Sequence, residues 1–534
     1  MLLACASSAQ KIPRGLCHHI YEMDHLVRQY VHSGGIANGQ RHLGLMFLSL
    51  NTAGLAHVAW HLFFAGVILL LALAASVHAV LYKRDSRSAI AWVGFIWLAP
   101  LAGALLYFIF GINRIRRRAA SLRGNLERYR AHEQERGISP EELHRHLPGH
   151  TGHLTMLARM EGKVVGRPLS AGNRIEPLVN GDAAYPAMLE AIRQARRTVS
   201  LQSYIFDRDK AGMAFAKALG EAVRRGVQTR VLVDAAGVMY SWPNILRTLH
   251  RQRVRCALFH PSFGLLRLMS MNLRTHRKIL VVDGRVGFTG GMNIRGGNCL
   301  EQNPRNPVQD LHFQVEGPVV TQLQEAFADD WLFATGETLR GEEWFPKLDK
   351  AGEVLARGVA DGPDEDFEKL RWTLLGALAI ARHTVRIVTP YFLPDTGLVT
   401  ALNLAAMRGV QVDILMPAHC NLPFVFWASR AMWWQLLEHG CRIWLTPPPF
   451  DHTKLMVVDG CWVLLGSANW DARSLRLNFE YNLECYDTGL ARRLEELAQS
   501  KQEAAHRVTM EEMDARSVPA RLRDGVARLM TPYI

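Results

Sequence analysis

One pattern occurs twice in this 534-residue chain. His-x-Lys-x4-Asp-x6-Gly-[Gly/Ser]-x-Asn appears first as His276, Lys278, Asp283, Gly290, Gly291 and Asn293, and 176 positions later as His452, Lys454, Asp459, Gly466, Ser467 and Asn469. One copy carries little weight in a chain of this length, whereas two copies with identical downstream spacing indicate a duplicated unit. The duplication reaches further upstream. Residues 195–199 and 201–206 match 381–385 and 387–392, and residues 224–228 before 231–234 match 407–411 before 413–416. Each half reads helix, strand, helix, strand and then the His-x-Lys strand, which predicts an α/β fold with a largely buried sheet. The acidic, Pro- and Gly-containing segment 360–366 reads as the linker between the halves.

The motifs predict their own chemistry. Ile279-Leu-Val-Val282 and Leu455-Met-Val-Val458 read as strands, in which residues two apart share a face, so His276 with Lys278 and His452 with Lys454 enter one pocket. Two imidazoles, two ammonium groups and two carboxamides suit a phosphodiester reaction. The substrate is already anionic, and cations and amide donors aimed at its non-bridging oxygens offset the charge gathered in the transition state. Lys278, Lys454, Asn293 and Asn469 fit that role. One imidazole can attack phosphorus while the other protonates the leaving alkoxide and later deprotonates the acceptor, so the two must begin in opposite protonation states.

Each imidazole also needs an acceptor on its second nitrogen. Asp283 and Asp459 belong to the candidate catalytic set, but at seven positions along the strand they lie too far from the ring of their own motif and read better as turn residues closing a hairpin. Asp310 and Glu480, each on the next predicted strand, are the better orienters.

Residues 55–81 and 88–112 contain no Lys, Arg, Asp or Glu, and each run exceeds the roughly 20 residues that cross a bilayer core. They predict a transmembrane hairpin over 55–118, and buried core helices are the alternative. Arg114, Arg116, Arg117, Arg118 and Arg123 crowd the far side of the second run, placing the remainder of the chain in the cytoplasm, although Lys83, Arg84 and Arg87 in the hairpin turn argue the other way. Residues 1–54 read as an N-terminal extension, with Met46 as the expected native start, and 119–167 as an exposed helical connector rich in Arg, Glu and His. A cleaved signal peptide fits poorly, because a second long apolar run follows the first.

With 49% apolar and 21% charged residues the chain is neither disordered nor fibrous. Its net charge of +13 favours an anionic partner. The eight cysteines form no CxxC pair and have no His partner at zinc-ligand spacing, so reduced thiols are expected, with no metal or other cofactor.

The paired motifs resemble the phospholipase D superfamily. Together with the two apolar runs, Ala89-Ile-Ala-Trp92, the stretch Tyr107-Phe-Ile-Phe-Gly-Ile-Asn-Arg-Ile-Arg116 and Gly466-Ser-Ala-Asn-Trp-Asp-Ala-Arg-Ser474 continuing to Leu477-Asn-Phe-Glu480, the arrangement is similar to bacterial cardiolipin synthases of that superfamily, from about Leu55 to the C-terminus. The resemblance implies two phospholipase D-like α/β/α sandwich domains, 168–350 and 351–534, related by a pseudo-twofold axis about one active site. It also implies His276 as nucleophile, His452 as acid and base, and Asp310 and Glu480 as orienters. Gly291 stands where family members often carry Ser, which removes one hydroxyl donor. The implied reaction transfers a phosphatidyl group from one phosphatidylglycerol to another, releasing glycerol, at the inner (cytoplasmic) membrane of a bacterium. Phospholipase D-type hydrolysis, transfer to another acceptor such as phosphatidylethanolamine, and a membrane-anchored nuclease are the rival activities. A catalytically dead scaffold fits poorly, since all four His and Lys residues are present. Residues 263–274 and 422–434 mix large apolar side chains with Arg and flank the motifs; they suit an anionic lipid interface, or helices packing on the sheet. No basic stripe interleaved with stacking aromatics points to nucleic acid.

Overall fold

The computed structural model describes residues 39–83, 86–111, 137–147, 149, 152–259, 274–363 and 367–531, in two compact units, Met1–Asn113 and Arg114–Ile534. The N-terminal extension before residue 39, the arginines of 114–123 and nearly all of the apolar stretch 263–274 lie outside the described residues.

In the first unit, helix Gly39–Tyr82 contains the apolar stretch His57–Tyr82, whose 26 residues can cross a bilayer. The second apolar run does not form the single span expected from its length. It is divided into helix Ser86–Leu98, helix Pro100–Leu106 and a π-helical turn Tyr107–Gly111. Pro100 has no N–H to donate and disfavours helical geometry in the residue before it; Ala99 accordingly leaves the helix, at φ −138° and ψ 76°. Ala72, Ala79, Ile96 and Tyr107 pack together within this unit.

The second unit is built on a sixteen-stranded sheet among the described residues. Its first half supplies β1 (Ser170–Val179), β2 (Thr198–Ser203), β3 (Gln228–Asp234), β4 (Cys256–Phe259), β5 (Arg274–Thr275), β6 (Ile279–Val282), β7 (Val286–Gly290), β8 (Val308–Gln309) and β9 (Leu311–Glu316). The second half supplies β10 (Val354–Asp361), β11 (Thr384–Val388), β12 (Phe392–Leu393), β13 (Gln411–Pro417), β14 (Arg442–Thr446), β15 (Phe450–Asp451), β16 (Leu455–Val458), β17 (Trp462–Gly466), β18 (Trp470–Asp471), β19 (Asn478–Tyr486) and β20 (His506–Arg507). β1 and β10 pair antiparallel at the centre. Outward from this pair run β9, β7, β6, β2, β3 and β4 on one side, and β19, β17, β16, β11, β13, β14 and β20 on the other. Corresponding strands of the sequence repeat therefore hold corresponding places.

Both faces of the sheet are covered, which is why the motif strands are apolar at every position. Ile279 and Val281 face a core layer shared with helices Val320–Thr335 and Thr488–Glu503, while Leu280 and Val282 face helices Asn180–Gln194 and Lys210–Arg224. Leu455 and Val457 face the same shared layer, and Met456 and Val458 face helices Lys369–Ile380 and Thr396–Met407.

Two organisational expectations are corrected. Ala360 and Asp361 belong to β10, and the Asp361 carboxylate, 1% exposed, accepts from the Leu370 N–H, so this part of the expected linker is interior strand; residues 364–366 lie outside the described residues. The connector is only partly the expected exposed helix: Pro140–His146 is largely exposed, but the helix that follows is not. Helix Leu154–Val165 buries Leu154, Leu157, Glu161 and Val165, a spacing of three and four that gives one inward face.

Candidate active site

Each motif sits at the end of the sheet where parallel strands terminate. β2 runs parallel to β3 and antiparallel to β6, so the residues that precede β6, His276 to Lys278, arrive beside the end of β2. β11, β13 and β16 repeat the arrangement for His452 to Lys454.

The short strands then exchange partners between halves. β5 pairs parallel with the start of β19, and the His276 N–H donates to the Phe479 carbonyl at 2.8 Å. β15 pairs parallel with β8, and the His452 N–H donates to the Gln309 carbonyl at 2.7 Å. In each case the residue that follows the pairing is the carboxylate the imidazole needs. His276 Nδ1 lies 3.0 Å from Glu480 Oε2, and His452 Nδ1 lies 2.8 Å from Asp310 Oδ2. The orienters are thus crossed: Glu480 serves His276 and Asp310 serves His452, rather than each serving the motif before it in sequence.

Glu480 is fully buried and tightly held. Ser467 Oγ donates to Oε2 at 2.5 Å and Asn478 Nδ2 to Oε1 at 3.2 Å. Burial pushes its carboxyl upward, but His276, Lys278 and Ser467 hold it below the ordinary value, so it is ionised at neutral pH. Asp310, whose Oδ1 accepts from the Leu311 N–H at 2.8 Å, is pushed up by burial to about 6 despite Lys454. Burial pushes both imidazoles down; Glu480 partly restores His276, whereas Lys454 and Lys278 depress His452 further, well below its ordinary value. Both rings are thus biased toward the neutral form, His452 more than His276.

Lys278 Nζ donates to the His276 carbonyl at 2.6 Å, and Lys454 Nζ to that of His452. Burial lowers Lys278 to about 7 and Lys454 to about 8. Fixing each ammonium on the backbone of its own histidine holds it beside that imidazole. Asn293 Oδ1 accepts from the Ile205 N–H at 3.0 Å, which turns its amide donors away from that backbone. Asn469 donates to Asp471, and its Oδ1 has no partner among the described residues.

The structure does not bring Asp283 and Asp459 to the imidazoles. Both adopt left-handed backbone, φ 52° and 50°, in the turns after β6 and β16. Asp283 accepts backbone N–H groups of Arg196, Arg197 and Thr198, at 2.7–3.2 Å, and Asp459 those of Arg382, His383 and Thr384, at 2.7–2.9 Å. Asp459 also meets His153 Nε2 at 2.7 Å, so the second motif is tied to the segment ahead of the sheet.

The motif glycines answer to backbone approach. At Gly290 (φ +150°) a Cβ would meet the Leu311 carbonyl at 2.7 Å, and at Gly466 (φ +154°) that of Tyr481 at 2.5 Å. At Gly291 a Cβ would come within 2.3 Å of Asp310 Oδ1, so the position filled by Ser467 in the other half has no room for a side chain here.

Two tyrosines complete the site and carried no chemical signature in the sequence. The Tyr204 ring stands edge-on to His276 at 5.3 Å between centroids, with Lys278 Nζ 5.7 Å from its centre, and Tyr391 stands edge-on to His452 at 6.4 Å. Both lie in the repeated stretch after β2 and β11, which was the available hint.

The chain is similar to known proteins. Residues 188–331 and 374–501 match the family described as cardiolipin synthase, PLD-like domain, and residues 70–111 match a phospholipase D-nuclease N-terminal family. Cardiolipin synthase A of Pseudomonas putida is 33% identical over 478 residues, covering 88% of this chain and 97% of that protein. Cardiolipin synthase 1 of Bacillus anthracis is 31% identical over 462 residues, covering 85% and 90%. Among solved structures, phosphatidylserine synthase of Haemophilus influenzae superposes with a TM-score of 0.55 at 15% identity, over 71% of this chain and all of that one. With both motif regions inside the family match and relatives aligned along nearly their whole length, this chain belongs to the phospholipase D-like cardiolipin synthase family.

Proposed function

We propose that the protein is a phosphatidyltransferase that makes cardiolipin from two molecules of phosphatidylglycerol. The observation that carries the reading is the crossed pair of carboxylate–imidazole contacts beside two buried lysines. His276, its Nδ1–H held by ionised Glu480, presents Nε2 to phosphorus. As the N–P bond forms, the P–O bond to the headgroup glycerol breaks, and protonated His452 gives its proton to the departing alkoxide. A second phosphatidylglycerol then enters; His452 takes the proton of its glycerol hydroxyl, the oxygen attacks phosphorus, the N–P bond breaks and His276 is restored. Lys278, Lys454 and the carboxamides of Asn293 and Asn469 meet the non-bridging oxygens. An arriving phosphodiester also supplies negative charge beside the two lysines, which favours one imidazolium.

The matching strand orders on the two sides of the β1–β10 pair support two sandwich domains, 168–350 and 351–534, related by a pseudo-twofold axis. The apolar stretch His57–Tyr82 supports a membrane span, the uncharged length of 88–112 argues for a second despite its break at Pro100, and the cations of 114–123 support catalysis on the cytoplasmic side of the inner membrane.

Incubating purified full-length protein with phosphatidylglycerol labelled in its headgroup tests this. Cardiolipin and free labelled glycerol are expected in equal amounts; phosphatidic acid without cardiolipin would make the protein a hydrolase. His276→Ala and His452→Ala are each expected to abolish turnover.

A further inference from the structure

Helix Val518–Leu529 turns its apolar row outward. Asp524 and Ala527, 0% and 1% exposed, mark its inner face with half-buried Ala520. The Asp524 carboxylate is held there by Arg430 of helix Pro423–Arg430, at 2.7 and 3.0 Å, and by Arg516 and Arg523, each at 2.9 Å. At 100° per residue, Val518, Leu522, Val526 and Leu529 fall on the opposite side, where they are 50–76% exposed. The two-pronged Arg430–Asp524 contact fixes the helix's rotation, so this row cannot turn inward.

Cations line one edge of the row. Arg521 and Arg528 are exposed beside it, and neither guanidinium has an acidic partner among the described residues. The helix on which this one packs leads toward the active site. Helix Pro423–Arg430 packs along Val518–Leu529, with the Arg523 guanidinium 4.5 Å from the centre of the Trp427 ring, and its N-terminal end exposes Leu422 and Phe424. The preceding Asn421 accepts from the Tyr391 hydroxyl at 2.7 Å, and Tyr391 borders His452.

We propose that the outer face of helix Val518–Leu529, with the exposed start of helix Pro423–Arg430, docks the catalytic unit on an anionic bilayer. The aliphatic row enters the acyl boundary and Arg521 and Arg528 meet lipid phosphates. A second copy of the chain is the poorer occupant, because pairing this face with itself would bring unneutralised arginines together. The choice of lipid as partner rests on the reading of the active site; the exposed apolar row does not.

Full-length protein carrying p-benzoylphenylalanine in place of Leu522, reconstituted in phosphatidylglycerol vesicles and irradiated, is expected to give lipid adducts. Their yield should exceed by about five-fold that from the same label at exposed Gln499, as burial of the row in the interface requires. Adding Arg521→Gln and Arg528→Gln should lower the yield in phosphatidylglycerol about three-fold and leave it unchanged in phosphatidylcholine. Adducts between two copies of the chain, or equal yields at 522 and 499, would overturn the proposal. A protein that makes no cardiolipin would sink the active-site reading and leave the adduct measurement intact.

Discussion

Glu480 lies 3.0 Å from the imidazole of His276, a residue 204 positions before it, while Asp310 lies 2.8 Å from that of His452. Neither half of the repeat therefore contains a complete oriented histidine. Replacing either carboxylate with its amide preserves shape but lets the ring choose the wrong tautomer. Glu480→Gln and Asp310→Asn are each expected to lower turnover by about 10²- to 10⁴-fold, with the fold retained. Rapid quenching with phosphate-labelled lipid should show slow formation of the phosphoenzyme in Glu480→Gln. Near-normal turnover in either variant would break the crossed assignment.

The motif aspartates are expected to act on stability. Asp283 gathers three backbone N–H groups, and Asp459 gathers three more and the His153 ring. In Asp459 burial opposes ionisation, yet those donors hold its carboxyl below the ordinary value. Asp283→Asn and Asp459→Asn should each cost about 1–3 kcal/mol, Asp459→Asn the more, because buried donors lose a charged acceptor. Denaturant unfolding measures the loss. A folded variant with turnover reduced a hundred-fold would return the aspartate to the catalytic set.

Gly291 is predicted to be intolerant of any side chain. Its missing Cβ is the space occupied by Asp310 Oδ1, 2.3 Å from where that carbon would stand. Gly291→Ser should displace the carboxylate from His452 and cost turnover about ten-fold or more while the protein stays folded, an effect that steady-state kinetics beside circular dichroism can separate. Full activity would mean that Asp310 has freedom the packing does not show.

Much of the site was legible because His and Lys two apart in extended chain share a face, although 276–278 and 452–454 lie just ahead of β6 and β16 rather than within the strands the sequence suggested. The crossing of Asp310 and Glu480 was not legible, since β8–β15 and β5–β19 are two-residue pairings whose partners lie on different halves and leave no periodic trace. The repeat foretold matching strands, whereas the composition of 360–366 misled. Asp361 looked like linker because it is acidic and near Gly and Pro; it is buried because it supplies an acceptor to the next helix. Pro100 was visible within its apolar run, but length alone had made that run one span.

The lysines give the site a pH signature with a definite sign. Burial lowers Lys278 to about 7 and Lys454 to about 8, from an unfolded value near 10.5. Between those limits the unfolded chain binds more protons than the folded one at these two positions, so the contribution of the two lysines to stability should rise as pH increases from about 7 toward 10.5. An anion reverses the preference by making both ammonium groups favourable. Inorganic phosphate should therefore stabilise the protein most below about pH 7 and progressively less through pH 8 and above. Lys278→Met should lower turnover by about 10²- to 10³-fold yet leave the substrate-free protein at pH 6.5 at least as stable as the parent, because a buried cation has been removed. Thermal unfolding across pH, with and without phosphate, checks both parts. A stability difference between Lys278→Met and the parent that stays constant as pH rises from 7 to 9 would show that Lys278 remains charged without an anion, and that the pocket is built to hold the cation rather than to acquire it with substrate.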